Sequence, residues 1–277
     1  MNNVIELNNT SLVCIETRFP ELALFAIRQS TKILQFDEII LFSDKPFDVP
    51  SPIKNIIIPP IKSTEEYSEF MIKKLPHYIS TDYILTIQWD GFIANSDLWS
   101  DEFLKYDYIG APWGHRPVKV GNGGFSLRSK KLLDAAQTIV SLSYHPKDRI
   151  ICETYKDYLE ENFEISFAPE NVASKFAFED VYVNYETFGF HALYNIAYVL
   201  KNEDLYEYIS LLPNSILTTR LSRRLIKKLY YLGKYESALF LIKRSIFKSF
   251  GNIFRCSILS VMCLYYFFKN QIKHVLL

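Results

Sequence analysis

Tyr83–Ile93 reads YILTIQWDGFI. Its first five residues form the short, largely apolar type of run that is buried on both faces of a parallel sheet. Gln88-Trp89-Asp90 then ends the strand on a carboxylate, and Gly91-Phe92-Ile93 returns to apolar character. Upstream, Ser11–Glu16, Glu38–Phe42 and Asn55–Ile58 read as further strands. Between them lie helical stretches, one opened by Pro20 and one over Ser63–Leu75, the second capped by Ser63 or Thr64. This alternation predicts an α/β fold with a mostly parallel, Rossmann-like sheet flanked by helices and right-handed crossovers. Ligands in such sheets bind beyond the carboxyl ends of strands, which singles out Ser43-Asp44 and Gln88-Trp89-Asp90.

Downstream, Phe125–Arg128 reads as a strand, followed by helices over Ser129–Ile139, Asp148–Glu161 and Asn171–Phe176. After Gly189-Phe190-His191 the pattern is wholly helical, over Asn195–Ser210, Asn214–Leu232 and Lys234–Ile246, with Gly233 as a C-cap. The expected division is an α/β domain over residues 1–200 and a helical appendage over 201–277.

The net charge of zero conceals a division. From Asn214 onward 12 Lys and Arg face the single acid Glu236, a net +11, which leaves −11 on the first 213 residues. Ile253–Phe268 is the most apolar run; with 16 residues and Arg255 inside, it reads as a packed or interfacial helix rather than a membrane span. A basic, apolar tail suits docking on an anionic membrane surface; the plainer reading is a helical appendage covering a sheet edge or a partner protein. The basic residues lie in no nucleic-acid reading motif, so no nucleic-acid partner is expected. Cys14, Cys152, Cys256 and Cys263 are scattered among apolar residues, which argues against a zinc site and for buried thiols. With no basic-then-apolar N-terminal pattern, the expectation is a cytoplasmic protein, peripheral on the inner face of the membrane.

Only nine glycines occur, and five fall between Tyr106 and Ser129, in YDYIGAPWGHRPVKVGNGGFSLRS. Such concentration implies close backbone approach, either to a ligand or within the chain. Asn122, Gly123 and Gly124 would then line a donor or acceptor; the plainer alternative is a tight turn into a strand. No Lys-Ser/Thr ends the block, so it is not a P-loop. Trp113 is either core or a stacking face for a sugar. Asp90 is either a turn cap or the carboxylate of a divalent cation site, Mg²⁺ or Mn²⁺. Asp148 is either a helix cap or a general base. His191 is either a satisfied core histidine or a metal ligand, and His115 carries the same ambiguity in an exposed setting.

The series Gln88–Gly91, Tyr106–Trp113, Gly121–Ser129, Asp148–Cys152, Phe167–Glu170 and Phe188–His191 resembles a microbial family catalogued as a domain of unknown function and regarded as GT-A-type glycosyltransferases. The resemblance covers about residues 11–195. It implies a GT-A-like fold and metal-dependent transfer of a sugar from a nucleotide-sugar donor to a hydroxyl of a surface or lipid-linked glycan, with inversion. It implies that Asp90 and His191 hold the metal, with Gln88 standing where such enzymes carry a first aspartate. It further implies that Gly123 and Gly124 line donor or acceptor, and that Asp148 is the base, preceded by Lys147 instead of the family's glutamate. The rival reading is a sugar- or nucleotide-binding module without turnover. A nucleotidyltransferase would need a glycine-rich basic loop after the first strand, where this chain has Glu16-Thr17-Arg18-Phe19.

Overall fold

The computed structural model describes residues 4–114, 116–180 and 186–275. The chain divides into two units, Met1–His191 and Ala192–Leu277.

The first unit is a mixed α/β layer structure on a six-stranded sheet. In chain order its elements are β1 (Ile5–Ile15), α1 (Pro20–Ser30), β2 (Leu34–Ser43), β3 (Lys54–Ile57), α2 (Thr64–Glu69), β4 (Tyr83–Ile87), β5 (Tyr108–Pro112), β6 (Val120–Ser129) and α3 (Lys130–Gln137). There follow α4 (Lys147–Arg149), α5 (Lys156–Phe163), α6 (Glu170–Phe176) and a two-stranded ladder of β7 (Ala177–Phe178) with β8 (Gly189–Phe190). The sheet order is β3-β2-β1-β4-β6-β5, with β3, β2, β1 and β4 parallel and β6 antiparallel to both its neighbours. The chain winds outward from β1 to β3 and then returns to the other side of β1 as β4. The carboxyl ends of β1 and β4 therefore flank the point where the winding reverses, and a crevice opens there.

β4 is the strand expected at Tyr83–Ile87. β1 starts six residues before the expected Ser11. Asn8-Asn9-Thr10 interrupts its apolar residues, Asn9 has a left-handed φ of 54°, and the register with β2 jumps between Leu7 and Ser11. A bulge of that kind breaks the two-residue alternation that marks a strand. Ser63 caps α2 by accepting from Glu66 N at 3.1 Å, and Ser129 caps α3 by accepting from Leu132 N at 3.0 Å.

The Gly121–Gly124 part of the glycine block is strand, neither a loop nor a tight turn. Val120–Ser129 is one buried strand that pairs with β5, interrupted by a bulge. Gly110 pairs with Ser126 and Ala111 with Asn122, so three residues of β6, Gly123–Phe125, have no partner on β5. Gly110 is fixed by sterics. A Cβ there would lie 1.9 Å from the Asn122 carbonyl oxygen, a backbone atom of the neighbouring strand. Gly110→Ala is therefore expected to destabilise the fold by about 2–3 kcal/mol, as overpacking of a tight core does. Chemical denaturation of the variant measures this, and an unchanged midpoint contradicts it.

The expected helix Asp148–Glu161 is two pieces. Between α4 and α5 the residues Ile150–Thr154 take a π turn, closed by Tyr155 N donating to Ile150 O at 2.9 Å. A second π turn, Phe70–Lys74, continues α2. Such turns often mark functional sites, and these two flank Asp148 and Tyr67. Phe25, Phe92, Phe103, Phe125, Phe176, Phe178, Phe188 and Phe190 are all buried, so these aromatics build the core.

The second unit is helical: α7 (Ile196–Val199), α8 (Asn202–Leu211), α9 (Asn214–Leu217), α10 (Arg220–Tyr231), α11 (Tyr235–Ser245) and α12 (Phe250–Val275). The expected single helix over Asn214–Leu232 is broken at Thr218-Thr219, where the Thr219 hydroxyl caps α10. Gly233, at φ +74°, separates α10 from α11 as a C-cap does. All four cysteines of the chain are free and buried.

Candidate active site

A cleft of about 320 Å³ opens at the carboxyl ends of β1 and β4. Glu16, Arg18, Lys62, Thr64, Tyr67 and Gln88 are among its lining residues. Glu16 is 5% exposed; its Oε1 accepts from Arg18 N at 2.7 Å and from Phe19 N at 3.1 Å, which fixes the turn into α1. Burial raises its pKa, against the Arg18 backbone bond and charge that lower it.

β4 ends in a two-residue turn. Gln88 N donates to Gly91 O at 2.8 Å and Gly91 N to Gln88 O at 3.0 Å, which places Trp89 and Asp90 at the corner. His191 is brought to this corner from 101 residues downstream by backbone stitching. Phe190 N donates to Phe92 O at 3.3 Å, and His191 N to Phe178 O at 3.0 Å. The imidazole Nε2 then lies 3.0 Å from Gln88 Oε1 and 3.6 Å from Asp90 Oδ1. Its Nδ1 is 2.8 Å from Glu179 Oε1. Burial alone would push the imidazole pKa down, but the carboxylates of Glu179 and Asp90 override it and hold the pKa at about 10. The ring is thus a cation bridging two carboxylates.

A hard divalent ion sets a geometric requirement on these donors. An octahedral ion with bonds of about 2.1 Å sets neighbouring ligand atoms about 3 Å apart. Gln88 Oε1, 3.0 Å from Nε2, meets that spacing, whereas Asp90 Oδ1, at 3.6 Å, would have to move inward; the donors are a carboxylate, an amide oxygen and an imidazole. Glu179 on Nδ1 supplies the carboxylate–histidine arrangement that orients metal-bound imidazoles. Among the described residues no group of three or more His, Cys, Asp or Glu is placed to hold a metal. Any cation held between Asp90, His191 and the neutral Gln88 oxygen would have to displace the Nε2 proton.

The glycines around this corner are explained by what their missing side chains leave room for. A Cβ on Gly91 would lie 2.7 Å from His191 Cδ2, and one on Gly124 within 2.4 Å of three ring atoms of His191. Gly124→Ala must push the imidazole off Gln88 and Asp90. If this corner holds a cation, as proposed below, the displacement should cost at least the roughly 10–100-fold in metal affinity that loss of an orienting partner costs. Calorimetric titration with Mn²⁺ reads that loss, and wild-type affinity would contradict the placement.

One residue earlier, a Cβ on Gly123 would lie 2.0 Å from Asp148 Oδ1. Asp148 sits between two buried cations, with Oδ1 3.2 Å from Lys147 Nζ and 3.5 Å from Arg128 Nη2. Lys147 is 7% exposed and Arg128 is fully buried. Arg128 Nε donates to Ser126 Oγ at 3.1 Å, its guanidinium lies 5.3 Å from the Tyr108 ring centre, and neither terminal nitrogen has a hydrogen bond. Burial lowers the Lys147 pKa, partly offset by Asp148. The Lys147 ammonium lies 5.1 Å from the Tyr67 ring centre, and the Tyr67 hydroxyl accepts from Gln88 Nε2 at 3.0 Å. One chain of contacts thus runs Glu179, His191, Gln88, Tyr67, Lys147, Asp148, Arg128.

Residues 52–191, just over half of the chain, match the family described as Protein of unknown function (DUF5672). The chain belongs to this family. The DUF5672 stretch contains Gln88, Asp90, Gly123, Gly124, Asp148 and His191 and leaves β1 and β2 outside it. No curated protein matches the sequence. Among solved structures the chain is similar to an active-site mutant of LgtC, with TM-score 0.41, 11% identity, and 73% of this chain and 94% of that one covered. It is similar to a glycosyltransferase involved in the glycosylation of the major capsid of PBCV-1, with TM-score 0.41, 11% identity and coverage of 66% and 91%. It is also similar to the glycosyltransferase GlyE in Streptococcus pneumoniae TIGR4, with TM-score 0.32, 16% identity and coverage of 57% and 45%.

The remaining residues singled out in this DUF5672 chain sit as follows. Ser43 is buried at the end of β2 and spends its hydroxyl on Lys45 O at 2.8 Å and the Asn55 side chain at 2.7 Å; neither it nor Asp44 lines the cleft. Asn122 is buried, and its Oδ1 accepts from Gly124 N at 3.0 Å, bracing the bulge. Trp113 is half-buried, with its ring over Gly121 and the Arg116 guanidinium 5.3 Å from the ring centre. His115 lies outside the described residues. Tyr67, Lys147, Arg128, Glu179 and the Glu16–Arg18 turn belong to the site but were not given roles in the sequence reading. The Gly123-Gly124 pair was the available signal, because each glycine marks a large side chain arriving from elsewhere.

Proposed function

We propose that this DUF5672 chain is a GT-A-like glycosyltransferase that moves a sugar from a nucleotide-sugar donor to a hydroxyl of a surface or lipid-linked glycan. The observation that carries the reading is the convergence of Asp90 Oδ1 and Gln88 Oε1 on His191 Nε2 beside a cleft at the reversal point of the sheet. The motif resemblance points the same way.

In this reading Asp90, Gln88 and His191 hold Mn²⁺ or Mg²⁺, and Glu179 orients the imidazole. The ion, when bound, supplies the positive charge that stabilises a departing nucleoside diphosphate. The cleft takes the donor, and Arg18 and Lys62 on its wall are the cations available to the diphosphate. Asp148 accepts the proton of the acceptor hydroxyl, which then attacks the anomeric carbon as the sugar–phosphate bond breaks. Lys147 and Arg128 fix the position of that carboxylate. Attack from the face opposite the leaving group inverts the anomeric centre.

A specific observation favours one rival. Asp148 Oδ1 is engaged by two cations, as a purely structural carboxylate would be, and a binding module without turnover fits that. A panel of UDP-, GDP- and dTDP-sugars, each with and without Mn²⁺, separates the two. The transferase reading expects one donor to raise the melting temperature in a Mn²⁺-dependent way and to release nucleoside diphosphate. Stabilisation without release supports the module, and no response to any donor overturns both.

A further inference from the structure

The second unit carries an apolar surface that its own fold leaves open. α12 is apolar on two opposite faces. One face, through Cys256, Leu259 and Cys263, is buried. Near it Tyr230 of α10 stacks on Tyr266 at 5.3 Å, and the Tyr235 hydroxyl of α11 donates to Tyr266 O at 3.1 Å. The opposite face repeats at the same four- and three-residue steps: Phe254, Ile258, Val261, Tyr265 and Phe268, all between 46% and 71% exposed. A helix apolar all round is normally covered all round. Just before it Phe247 is 81% exposed, and beside it in one shallow depression lie Lys243, Arg244 and Lys248.

Charge selects the occupant. The sequence from Asn214 onward carries net +11, so a second copy would bring like charge to the same surface. An anionic bilayer meets both features, since the outward stripe enters the acyl boundary while the basic side chains meet the headgroups. Gly251–Lys269, with 19 residues and a mean hydropathy of 1.3, is long and apolar enough to cross a membrane. The inner face packed on α10 and α11 argues instead for a helix lying in the plane of the surface. We propose that the second unit is an interfacial membrane anchor, with the Phe254–Phe268 stripe of α12 inserted and the basic residues around Phe247 on anionic lipid. This inference is independent of the reaction assigned to the first unit.

The test is co-sedimentation of the full chain with phosphatidylcholine vesicles and with the same vesicles carrying about one third phosphatidylglycerol. Binding is expected to be at least tenfold stronger to the anionic vesicles and to weaken with salt. Val261→Glu/Phe268→Glu changes only exposed positions and should lose at least tenfold. Lys243→Gln/Lys248→Gln should lose several-fold and flatten the salt dependence. Equal binding to both vesicles, or wild-type binding by the stripe variant, would overturn the proposal. So would a concentration-dependent oligomer that the stripe variant abolishes while no vesicles are bound. Resistance of the bound protein to alkaline carbonate extraction would overturn the in-plane placement in favour of a span.

Discussion

Asp90→Ala is expected to lower nucleotide-sugar turnover by about 10³-fold while leaving the fold intact. A bound cation that stabilises a departing oxyanion contributes several kcal/mol at the transition state, and about 4 kcal/mol corresponds to a thousandfold. Asp90 supplies the only carboxylate in the proposed donor set, because Glu179 acts on the far nitrogen of His191. The loss should fall mainly on kcat, since the ion acts on charge that develops during reaction. The fold should survive because the Gln88–Gly91 turn is closed by backbone bonds. Steady-state kinetics across a Mn²⁺ series, with a melting curve for each protein, checks both parts. Full activity in the variant would remove Asp90 from the chemistry.

Asp148→Ala carries the second large effect, and it should appear in stability as well as rate. Arg128 is fully buried and Lys147 nearly so, and each reaches its balancing charge at Asp148 Oδ1. Breaking a buried pair by removing one partner costs about 3–5 kcal/mol. Because the Asp148 side chain is 20% exposed, the lower end is the better expectation. At about 2–4 °C per kcal/mol for a unit of this size, the melting temperature should fall by roughly 6–12 °C. Loss of a general base removes a further 10²–10⁴-fold of rate, in order of magnitude. The variant Arg128→Met/Lys147→Met/Asp148→Leu separates the two roles. Exchanging a whole buried ion cluster for apolar groups is often neutral or stabilising. This triple variant should regain most of the lost stability and remain inactive. Wild-type turnover in it would show Asp148 to be structural and would retire it as the base.

Much of the fold was legible because its central strands are short, apolar and locally consistent. Tyr83–Ile87 and the Ser63 cap behave as their residues dictate. What stayed hidden depends on partners distant in sequence. Tyr108–Pro112 became a strand only by pairing with β6, and a sequence ending Gly-Ala-Pro has no strand propensity of its own. Asp107 in the same motif is a bracket, accepting from Ser129 Oγ at 2.6 Å and from Ser166 N at 2.8 Å.

The site shows the same split. Asp90, Asp148 and His191 stood out as chemically capable residues beside glycines or strand ends. The glycines left two readings open, approach to a ligand or within the chain, because a sequence shows that space is needed without showing what fills it. Gly123 and Gly124 make room for Asp148 and His191. Lys147 and Arg128 were given no role, and nothing local predicts that both are buried against one carboxylate. The Tyr67–Gln88 bond links residues 21 apart and the Gln88–His191 contact residues 103 apart, so neither has a sequence signature.

The proposed reaction depends on Asp90, Gln88 and His191 forming a cation site. Anomalous diffraction at the manganese edge, from crystals grown with Mn²⁺ and a nucleoside diphosphate, tests it most directly. One strong peak is expected, bonded to Asp90 Oδ1 and His191 Nε2 at about 2.0–2.3 Å. A nucleoside diphosphate bound with its manganese elsewhere, and His191 still bridging Glu179 and Asp90, would contradict it.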